Sequence, residues 1–290
     1  MDEKHIMMTY RLNCLTIREL VAHLEPDLLP SLRHLHAITP AAQVLSVLHF
    51  VPSGSFQVTL GLAARISQLM FSMVLQDVLG ALLKHINRYL RFPQLPDLNT
   101  VKAAFYNISN VPHVIGAVDG THLALGPLRA KEQVYRNQNS TYSINVQMVR
   151  LADQYIPHVT VKFPGSVHDS CILRNSSVSA LMLQLQRERT WLIGDSGYPN
   201  LPWLLTPVRY PTMDREDRYN EAHGQTRQVI EKTLSLLKAR FCCLHVSGGA
   251  LQYRPRKVYK IIVACCMLHY LPVRRRIPLL EGGHSRKSCG

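Results

Sequence analysis

The first part of the chain repeats apolar residues at the spacing of an α-helix. Val74, Val78 and Leu82 follow one another at intervals of four residues, which places their side chains on one helix face. Gly80 is the only residue that we expect to interrupt this last helical segment. The pattern predicts helices over four segments, residues 15–24, 41–50, 56–64 and 67–89.

Further along the chain the period changes from that of a helix to that of a strand. Tyr142, Ile144, Val146 and Met148 alternate with polar residues, as in a strand with one buried face, and residues 159–163 repeat the pattern. A helix, a short strand and a helix are then predicted over residues 170–187, 191–194 and 222–240. This order predicts an α/β fold with a mixed sheet flanked by helices, preceded by an all-helical N-terminal domain.

Pro and Asn residues between positions 92 and 99 mark a plausible boundary between these two parts. The predicted limits are residues 1–95 for the helical domain and residues 96–272 for the sheet domain. Residues 273–290 form a short basic tail that we expect to be disordered, and its three arginines, residues 274–276, are a weak signal for nuclear import.

The net charge and the cysteine content indicate which type of partner the protein binds and in which cellular compartment it is found. The chain has 33 Lys and Arg against 19 Asp and Glu, and a formal charge of +14 suits nucleic acid or an anionic membrane surface. The longest apolar run, residues 261–268, is far shorter than the roughly 20 residues that span a bilayer. Residues 1–13 lack the pattern of a secretion signal, and seven cysteines without a Cys-x-x-Cys motif predict reduced thiols. We therefore expect an intracellular protein with a nucleic-acid partner and no membrane.

Four acidic residues stand where predicted strands or helices begin or end, and each has an ordinary structural explanation. Asp119 precedes Gly120 between two apolar runs, which is a strong hairpin signal. Asp169 precedes a helix and fits an N-cap, and Asp195 fits a turn after a strand. Glu231 can form an exposed pair with a basic residue four positions earlier. When each acid is considered alone, its structural explanation is better than a role in a functional site.

Taken together, the positions of the acids favour a shared site. Asp195 ends a strand at the sheet edge where sites usually form, and Glu231 stands at the edge of a helical apolar stripe. If both side chains face Asp119, three carboxylates meet in one cleft, where they repel one another unless a cation intervenes. Mg²⁺ or Mn²⁺ suits such oxygen ligands and also binds phosphate. The apolar stripe of the helix that carries Glu231 consists of Ile230, Leu234, Leu237 and Phe241.

Longer motifs around these acids resemble a known family from Asp119 to about residue 271. They are AVDGTHLAL, FPGSVHDSCIL, WLIGDSGYP, YNEAHGQTRQVIEKTLSLLKARF and the terminal ACCMLH. In this order they resemble the DDE domain of harbinger-type transposases and their domesticated nucleases. The match departs from the family at Tyr270, where the Leu-His motif is usually followed by Asn.

The resemblance implies a ribonuclease H-like fold and metal-dependent cleavage of DNA. The reduced thiols and the basic charge predict a location in the nucleus, with the cytoplasm as a second location. The resemblance assigns Asp119, Asp195 and Glu231 as catalytic metal ligands, with Asp169 as an added metal-ligand candidate. The implied cofactor is Mg²⁺ or Mn²⁺. A separate Myb-like DNA-binding protein is the implied partner.

Basic residues beside the acids are candidates for phosphate contacts, although a run of charges is usually only a solvated face. The candidates are Arg227, Lys232, Lys238 and Arg240. Histidines also lie near the acids, but without a zinc motif they are better explained as residues that position the carboxylates or touch phosphate. These histidines are His122, His168 and His223.

The helical segment from residue 39 to 83 resembles the helix-turn-helix region of the same family. Its candidate recognition helix begins near Ser67 and carries Gln68, Ser72 and Gln76 on one face, where they could address base edges. Residues 66–83 contain no Lys or Arg for phosphate anchoring. We therefore favour a structural or protein-interaction role for this helix over base reading.

Two hypotheses follow. The first is a metal-dependent nuclease of transposase descent that hydrolyses DNA phosphodiester bonds through the Asp/Asp/Glu cluster, without a covalent intermediate. The second is a catalytically silent DNA-binding or adaptor protein that keeps the fold. The presence of all the acids favours the first hypothesis.

Overall fold

A computed structural model describes residues 2–29, 38–54, 67–126, 130–245 and 249–280. Ten α-helices and five strands are assigned within these ranges. The elements are α1 (Glu3–Tyr10), α2 (Cys14–Leu28), α3 (Pro40–Ser53), α4 (Gln68–Lys84), α5 (Ile86–Tyr89), α6 (Leu98–Ser109), β1 (Val114–Ala124), β2 (Ser143–Arg150), β3 (His158–Pro164), α7 (Asp169–Arg174), α8 (Ser177–Gln184), β4 (Trp191–Ile193), β5 (Leu204–Leu205), α9 (Asp214–Arg240) and α10 (Pro255–Arg274).

The five strands form one sheet in the order β3-β2-β1-β4-β5. The pairs β3-β2 and β2-β1 are antiparallel, while β1-β4 and β4-β5 are parallel. The predicted mixed α/β sheet flanked by helices is therefore confirmed. β1 is much longer than β4 and pairs with it only through Val114, Gly116 and Ala117. The half of β1 from Asp119 onward thus extends past the end of β4.

Apolar side chains pack on both faces of the sheet. One cluster joins residues of the N-terminal helices, such as Phe71, to Met148 of β2 and Ile262 of α10. A second cluster joins Val118 of β1 to Met182 of α8 on the other face. The helices before residue 90 therefore share a core with the sheet.

Local signals explain where several helices begin and end. Thr39 caps α3 by accepting a hydrogen bond from the Ala42 N–H, and Pro40 occupies the first turn, where its missing N–H costs nothing. Gly54 ends the helix in the left-handed region, at a φ of 63°. The predicted helix over residues 41–50 is thus present and slightly longer, whereas the helix predicted over residues 56–64 lies outside the described residues.

Two predicted helices are divided differently in the structure. The helix over residues 67–89 continues through Gly80 and breaks at His85 instead. A glycine weakens a helix but does not end it when the neighbouring side chains are buried, as they are here. The helix predicted over residues 170–187 is two helices, separated at Asn175 and Ser176. Ser176 turns its hydroxyl back to the Leu173 carbonyl, which satisfies an acceptor at the end of α7.

Five of these elements were not predicted from sequence: α1, α6, β1, β5 and α10. The chain after α10 also departs from the prediction of a disordered tail. Ile277 is buried, Arg275 forms an ion pair with Glu19, and Arg11 donates to the Leu280 carbonyl at 2.7 Å. Up to residue 280 the tail therefore packs against the N-terminal helices, while residues 281–290 lie outside the described ranges.

Candidate active site

Asp119 lies in the middle of β1 and not in a hairpin turn. Its Cα is paired with Met148 on β2, and Gly120 is paired with Gln147. The Gly120 N–H donates to Oδ1 of Asp119 at 2.9 Å. Long-range strand pairing has overridden the local turn signal, so the hairpin explanation of the Asp-Gly pair is wrong.

Asp169 opens α7 and lies against β1. The residue that caps this helix is His168, whose Nδ1 accepts from the Ser170 N–H, so Asp169 is not the N-cap. Oδ1 of Asp169 accepts a hydrogen bond of 2.6 Å from Nδ2 of Asn145. A Cβ built on Gly120 would lie only 2.5 Å from this oxygen, which shows how closely the carboxylate approaches β1.

Asp195 follows the end of β4, two residues after Ile193. Its Oδ1 accepts from the Gly197 N–H at 3.0 Å, and its carbonyl accepts from the Tyr198 N–H at 3.2 Å. The residue therefore does close a turn, as its ordinary explanation predicts. Since β4 is parallel to β1 and ends beside Ala117, the turn also brings Asp195 toward Asp119.

Glu231 lies on α9 and is tied to Asp119 through a shared cation. Arg227, one helical turn earlier, donates from NH2 to Oε1 of Glu231 at 2.5 Å, so the predicted i,i+4 pair is formed. NH1 of the same guanidinium lies 3.9 Å from Oδ2 of Asp119. The apolar stripe on this helix is buried as predicted, which leaves Glu231 about half exposed at its edge.

The three aspartates are close enough to influence one another electrostatically. The pKa of Asp119 is raised to about 6, mainly by burial and also by the negative charges of Asp195 and Asp169, while the Gly120 N–H and Arg227 act to lower it. Burial also raises the pKa of Tyr198 well above its usual value, and all three aspartates add to that effect. Acidic groups from three separate segments thus share one cleft.

These side chains fit a divalent cation by their chemistry, since carboxylate oxygens are the ligands that Mg²⁺ and Mn²⁺ prefer. Asp119 in particular is a partly desolvated carboxylate whose like-charged neighbours disfavour ionisation unless positive charge is supplied. In the described ranges, however, no three His, Cys, Asp or Glu side chains are grouped closely enough to hold a metal ion. The positive charge beside Asp119 in this conformation comes from Arg227.

The raised pKa of Asp119 leads to a pH-dependent stability that can be measured. Because its folded-state pKa of about 6 exceeds its usual value of 3.8, the protonated form favours folding, and that contribution is lost as pH rises through about 6. Between about pH 4 and pH 7 without divalent metal, the wild type should lose on the order of 1–3 kcal/mol relative to Asp119→Asn. Denaturant midpoints measured across this range test the expectation, and parallel pH curves for the two proteins would contradict it.

The basic residues around the cleft differ in how accessible they are. Lys238 is partly buried and donates to Oγ1 of Thr121 at 2.7 Å, and burial lowers its pKa although Asp119 opposes that effect. Lys232 is exposed. Arg240 is only 3% exposed, so its prediction as a phosphate contact is wrong. The residue follows Leu237 by three positions and therefore falls on the buried face of α9.

The histidines near the acids have ordinary roles among the described contacts. His223 is buried, and its Nε2 lies 3.2 Å from the Leu205 carbonyl; burial lowers its pKa. His168 caps α7, and Nδ1 of His122 lies 3.0 Å from Oγ of Ser143. None of these contacts is to a carboxylate, and only His168 lies next to an acid in the chain, as the cap of the helix that begins at Asp169.

Three polar residues of the cleft were missed from the sequence. Asn145 and Gln147 belong to the polar side of β2, which we expected to face solvent, yet all eight residues of β2 are buried. Nε2 of Gln147 donates to the hydroxyl of Tyr198 at 2.9 Å, and Asn145 holds Asp169. The prediction of a half-buried β2 was therefore wrong, and its buried amides are the signal that could have indicated a polar site on the second face.

Gly120→Ala should disturb this arrangement without removing an acid. The new Cβ would lie 2.5–2.7 Å from the carboxylate of Asp169, which must turn and weaken its bond from Asn145. Loss of such support around a metal ligand typically lowers metal affinity by about tenfold or more. Mn²⁺ titration by calorimetry measures the effect. Gly80→Ala is the matched control, since nothing lies within 4 Å of its Cβ, and an equal loss in both variants would refute the role of Asp169.

The sheet thus carries Asp119 within one parallel strand and Asp195 just after its parallel neighbour, a mixed α/β arrangement consistent with a DDE nuclease fold. Residues 118–270 match the family model described as DDE superfamily endonuclease, which covers more than half of the chain. The chain belongs to this DDE endonuclease family, in its harbinger transposase-derived branch, as the motifs indicated. No solved structure matches it.

Several curated proteins are similar over most of the chain. The human protein named "Putative nuclease HARBI1" is 37% identical over 268 residues, which are 92% of this chain and 77% of the relative. The Xenopus laevis protein of the same name is 33% identical over 84% of this chain and 71% of the relative. "Protein ALP1-like" from Arabidopsis thaliana is 31% identical over 59% of this chain and 46% of its own length. Among the described helices, none is long and apolar enough to cross a membrane.

Proposed function

We propose that this protein is a divalent-metal-dependent nuclease that hydrolyses phosphodiester bonds of DNA. Its catalytic residues are Asp119, Asp195 and Glu231, with Asp169 as a further metal ligand. The observation that carries the proposal is the electrostatic coupling of Asp119 to Asp195 and Asp169 in one partly buried cleft. Such crowding of carboxylates opposes folding, and its usual purpose is to hold a cation. The ribonuclease H-like assignment rests on the strand order and on the placement of these acids.

The chain's own residues have defined tasks in this proposal. Asp119 and Asp195 supply oxygen ligands from two adjacent parallel strands, and Glu231 adds a third from α9. Held by these carboxylates, Mg²⁺ or Mn²⁺ would supply Lewis-acid activation of the attacking water and charge stabilisation of the leaving 3′ oxygen. Arg227, Lys238 and Lys232 would contact the phosphates that flank the cleaved bond. Gly197 and Asn145 fix the rotamers of Asp195 and Asp169 through their hydrogen bonds.

The direct test is cleavage by the purified full chain. A labelled DNA duplex is incubated with Mg²⁺, with Mn²⁺ and with EDTA, and products are separated on a denaturing gel. We expect cleavage only with metal, leaving 3′-hydroxyl ends. Product formation that is unchanged in EDTA would reject the proposal.

A second candidate is a catalytically silent DNA-binding or adaptor protein. The observation that favours it is the position of Arg227, which bridges Glu231 and Asp119. Its guanidinium supplies the positive charge that a metal ion would otherwise provide beside these acids. In that case metal would not bind tightly, and Arg227 would stabilise the fold. Isothermal titration with Mn²⁺ separates the candidates, because only the nuclease should bind the ion in a way that depends on Asp195.

A nuclear location and a separate Myb-like targeting partner complete the proposal, with the cytoplasm as a second location.

The polar face of the candidate recognition helix, α4, bears on the need for a targeting partner. Gln68 and Gln76 of α4 are exposed, but Ser72 between them accepts a hydrogen bond of 3.1 Å from Nζ of Lys257. One of the three polar side chains of this face is engaged, and the cation beside the face, Lys257, is itself bonded to Ser72, so the face is poorly suited to base reading. This supports delivery to DNA by another protein.

A further inference from the structure

A cavity of about 410 Å³ lies at a distance from the acids, beside the connection between β2 and β3. It is bordered by the end of α5, the segment before α6, and α10. Its volume falls within the range typical of small-molecule sites. The side chains that matter here are Arg88, Arg91, Phe92, Asp97, Tyr155 and Tyr270.

Two tyrosines give the cavity rigid aromatic walls. The ring centroids of Tyr155 and Tyr270 are 5.4 Å apart with an angle of 64° between the planes. The Tyr155 hydroxyl accepts from the Arg91 N–H at 2.7 Å and donates to the Arg91 carbonyl at 3.0 Å. The Tyr270 hydroxyl accepts from NH1 of Arg274 at 2.7 Å. Both hydroxyls are engaged, and Tyr89 and Arg274 lie 5.7 and 5.8 Å from the centroid of the Tyr270 ring, so the tyrosines offer a ligand the ring surface that these neighbours leave open.

Cationic groups stand at the rim of the same cavity. The Arg91 side chain forms no hydrogen bond or ion pair with the part of the chain that the structure describes, and the residue is exposed. Arg88 is also exposed, and its NH1 lies 3.0 Å from Nδ1 of His23. One carboxylate, that of Asp97, also lines the cavity. Aromatic walls with two cations and one acceptor suit a ligand that has a flat ring, an anionic group and a polar edge.

The cavity is separate from the acidic cleft. Tyr155 lies in the β2-β3 connection, at the end of the sheet where β1 begins. Asp195 follows the end of β4, which runs parallel to β1, and so lies at the opposite end. A ligand in this cavity would therefore not occupy the site proposed for cleavage.

We propose that this cavity binds an unpaired nucleotide, with its base against the aromatic rings and its phosphate beside Arg91 and Arg88. Base stacking on aromatic side chains combined with arginine contacts to phosphate is the general chemistry of single-strand recognition. A duplex cannot enter in this way, because its bases are stacked inside the helix. The nucleotide can come from a single strand or from a free nucleotide, and the inference does not depend on cleavage.

Photo-crosslinking locates the ligand directly. The full chain is irradiated in EDTA, which keeps cleavage silent, with a single strand carrying 5-iodouracil, with its duplex, or with free 5-iodo-dUMP. Crosslinked peptides are then identified by mass spectrometry. We expect the single strand to label peptides containing Phe92, Tyr155 or Tyr270, and the duplex to label them much less. Labelling by 5-iodo-dUMP as well would support the site and make a free nucleotide its ligand. Labelling confined to other peptides, or equal labelling by the duplex, would overturn the proposal.

Variants test the two kinds of contact separately by fluorescence anisotropy with the same single strand. Tyr270→Leu should weaken binding about tenfold, whereas Tyr270→Phe, which keeps the ring, should bind nearly as the wild type does. Arg91→Gln should weaken binding and reduce the slope of log affinity against log salt by about 0.7, the value for one phosphate contact. The exposed Arg174→Gln is the charge-matched control and should change neither. If Tyr270→Leu does not fold, the change in salt slope in Arg91→Gln still decides, and an unchanged slope refutes the site.

Discussion

Asp195→Asn is expected to abolish metal-dependent cleavage, by at least about a thousandfold, while DNA binding stays the same or becomes slightly tighter. The substitution keeps the shape of the side chain and its ability to accept from the Gly197 N–H, but it removes the negative charge. Stabilisation of the transition state by bound metal is worth several kcal/mol, and each 1.4 kcal/mol corresponds to a factor of about ten. Binding is retained because one source of repulsion toward phosphate is gone.

Thermal stability provides an independent readout of the same substitution. Without metal, the melting temperature should not fall and should rise slightly, since Asp195 is one of the charges that raise the pKa of Asp119. With Mn²⁺, the wild type should gain stability by mass action and the variant should gain much less. A purely structural Asp195 behaves oppositely, because impairing its turn contact costs on the order of 1 kcal/mol.

The control for this experiment is Asp77→Asn, which removes the same charge from an exposed position on α4. It should leave both cleavage and the Mn²⁺-induced rise in melting temperature unchanged. If Mn²⁺ raises the melting temperatures of wild type and Asp195→Asn equally, the acids do not form a metal site, and the adaptor hypothesis replaces the nuclease.

The sequence predicted the helix-forming segments well because their apolar spacing is a local property. It failed where distant strands decide the outcome. The Asp119–Gly120 pair has the strongest local hairpin signal in the chain, yet it lies within β1 because Met148 and Gln147, nearly thirty residues away, pair with it. The joint positions of the acids and the family motif, both of which extend beyond a single turn, indicated that Asp119 belongs to a site.

The support around the acids was hidden for a similar reason. The amides of β2 alternate with apolar residues, and alternation alone cannot distinguish a solvent-exposed face from a buried polar one. Their partners, Asp169 and Tyr198, are distant in sequence, so the network is visible only once the fold brings them together. The burial of Arg240, in contrast, could have been predicted from sequence. It follows Leu237 by three residues and so falls on the buried face of α9, but its charge led to the prediction of a phosphate contact.

Replacing Arg227 and Lys238 together by Ala is expected to lower the affinity for duplex DNA about a hundredfold at low salt. Each cation that neutralises a phosphate releases a counterion, which contributes about 0.9 to the slope of log affinity against log salt. The double variant should therefore flatten this slope by about 1 to 2, and it should do so equally for unrelated sequences, because phosphate contacts carry no sequence information. Fluorescence anisotropy in EDTA over a range of salt concentrations measures both quantities.

The matched control is Arg187→Ala combined with Arg189→Ala, which removes the same charge from exposed positions before β4, at the other end of the sheet from Asp195. If both double variants lose affinity equally, binding reflects only the net charge of the protein. The melting temperature must accompany the measurement, since Arg227 also bridges Asp119 and Glu231. A variant that binds DNA with unchanged affinity and loses stability would show that Arg227 serves the fold alone. That result would favour the adaptor, because a nuclease needs phosphate held beside its acids, whereas a scaffold needs only the acids neutralised.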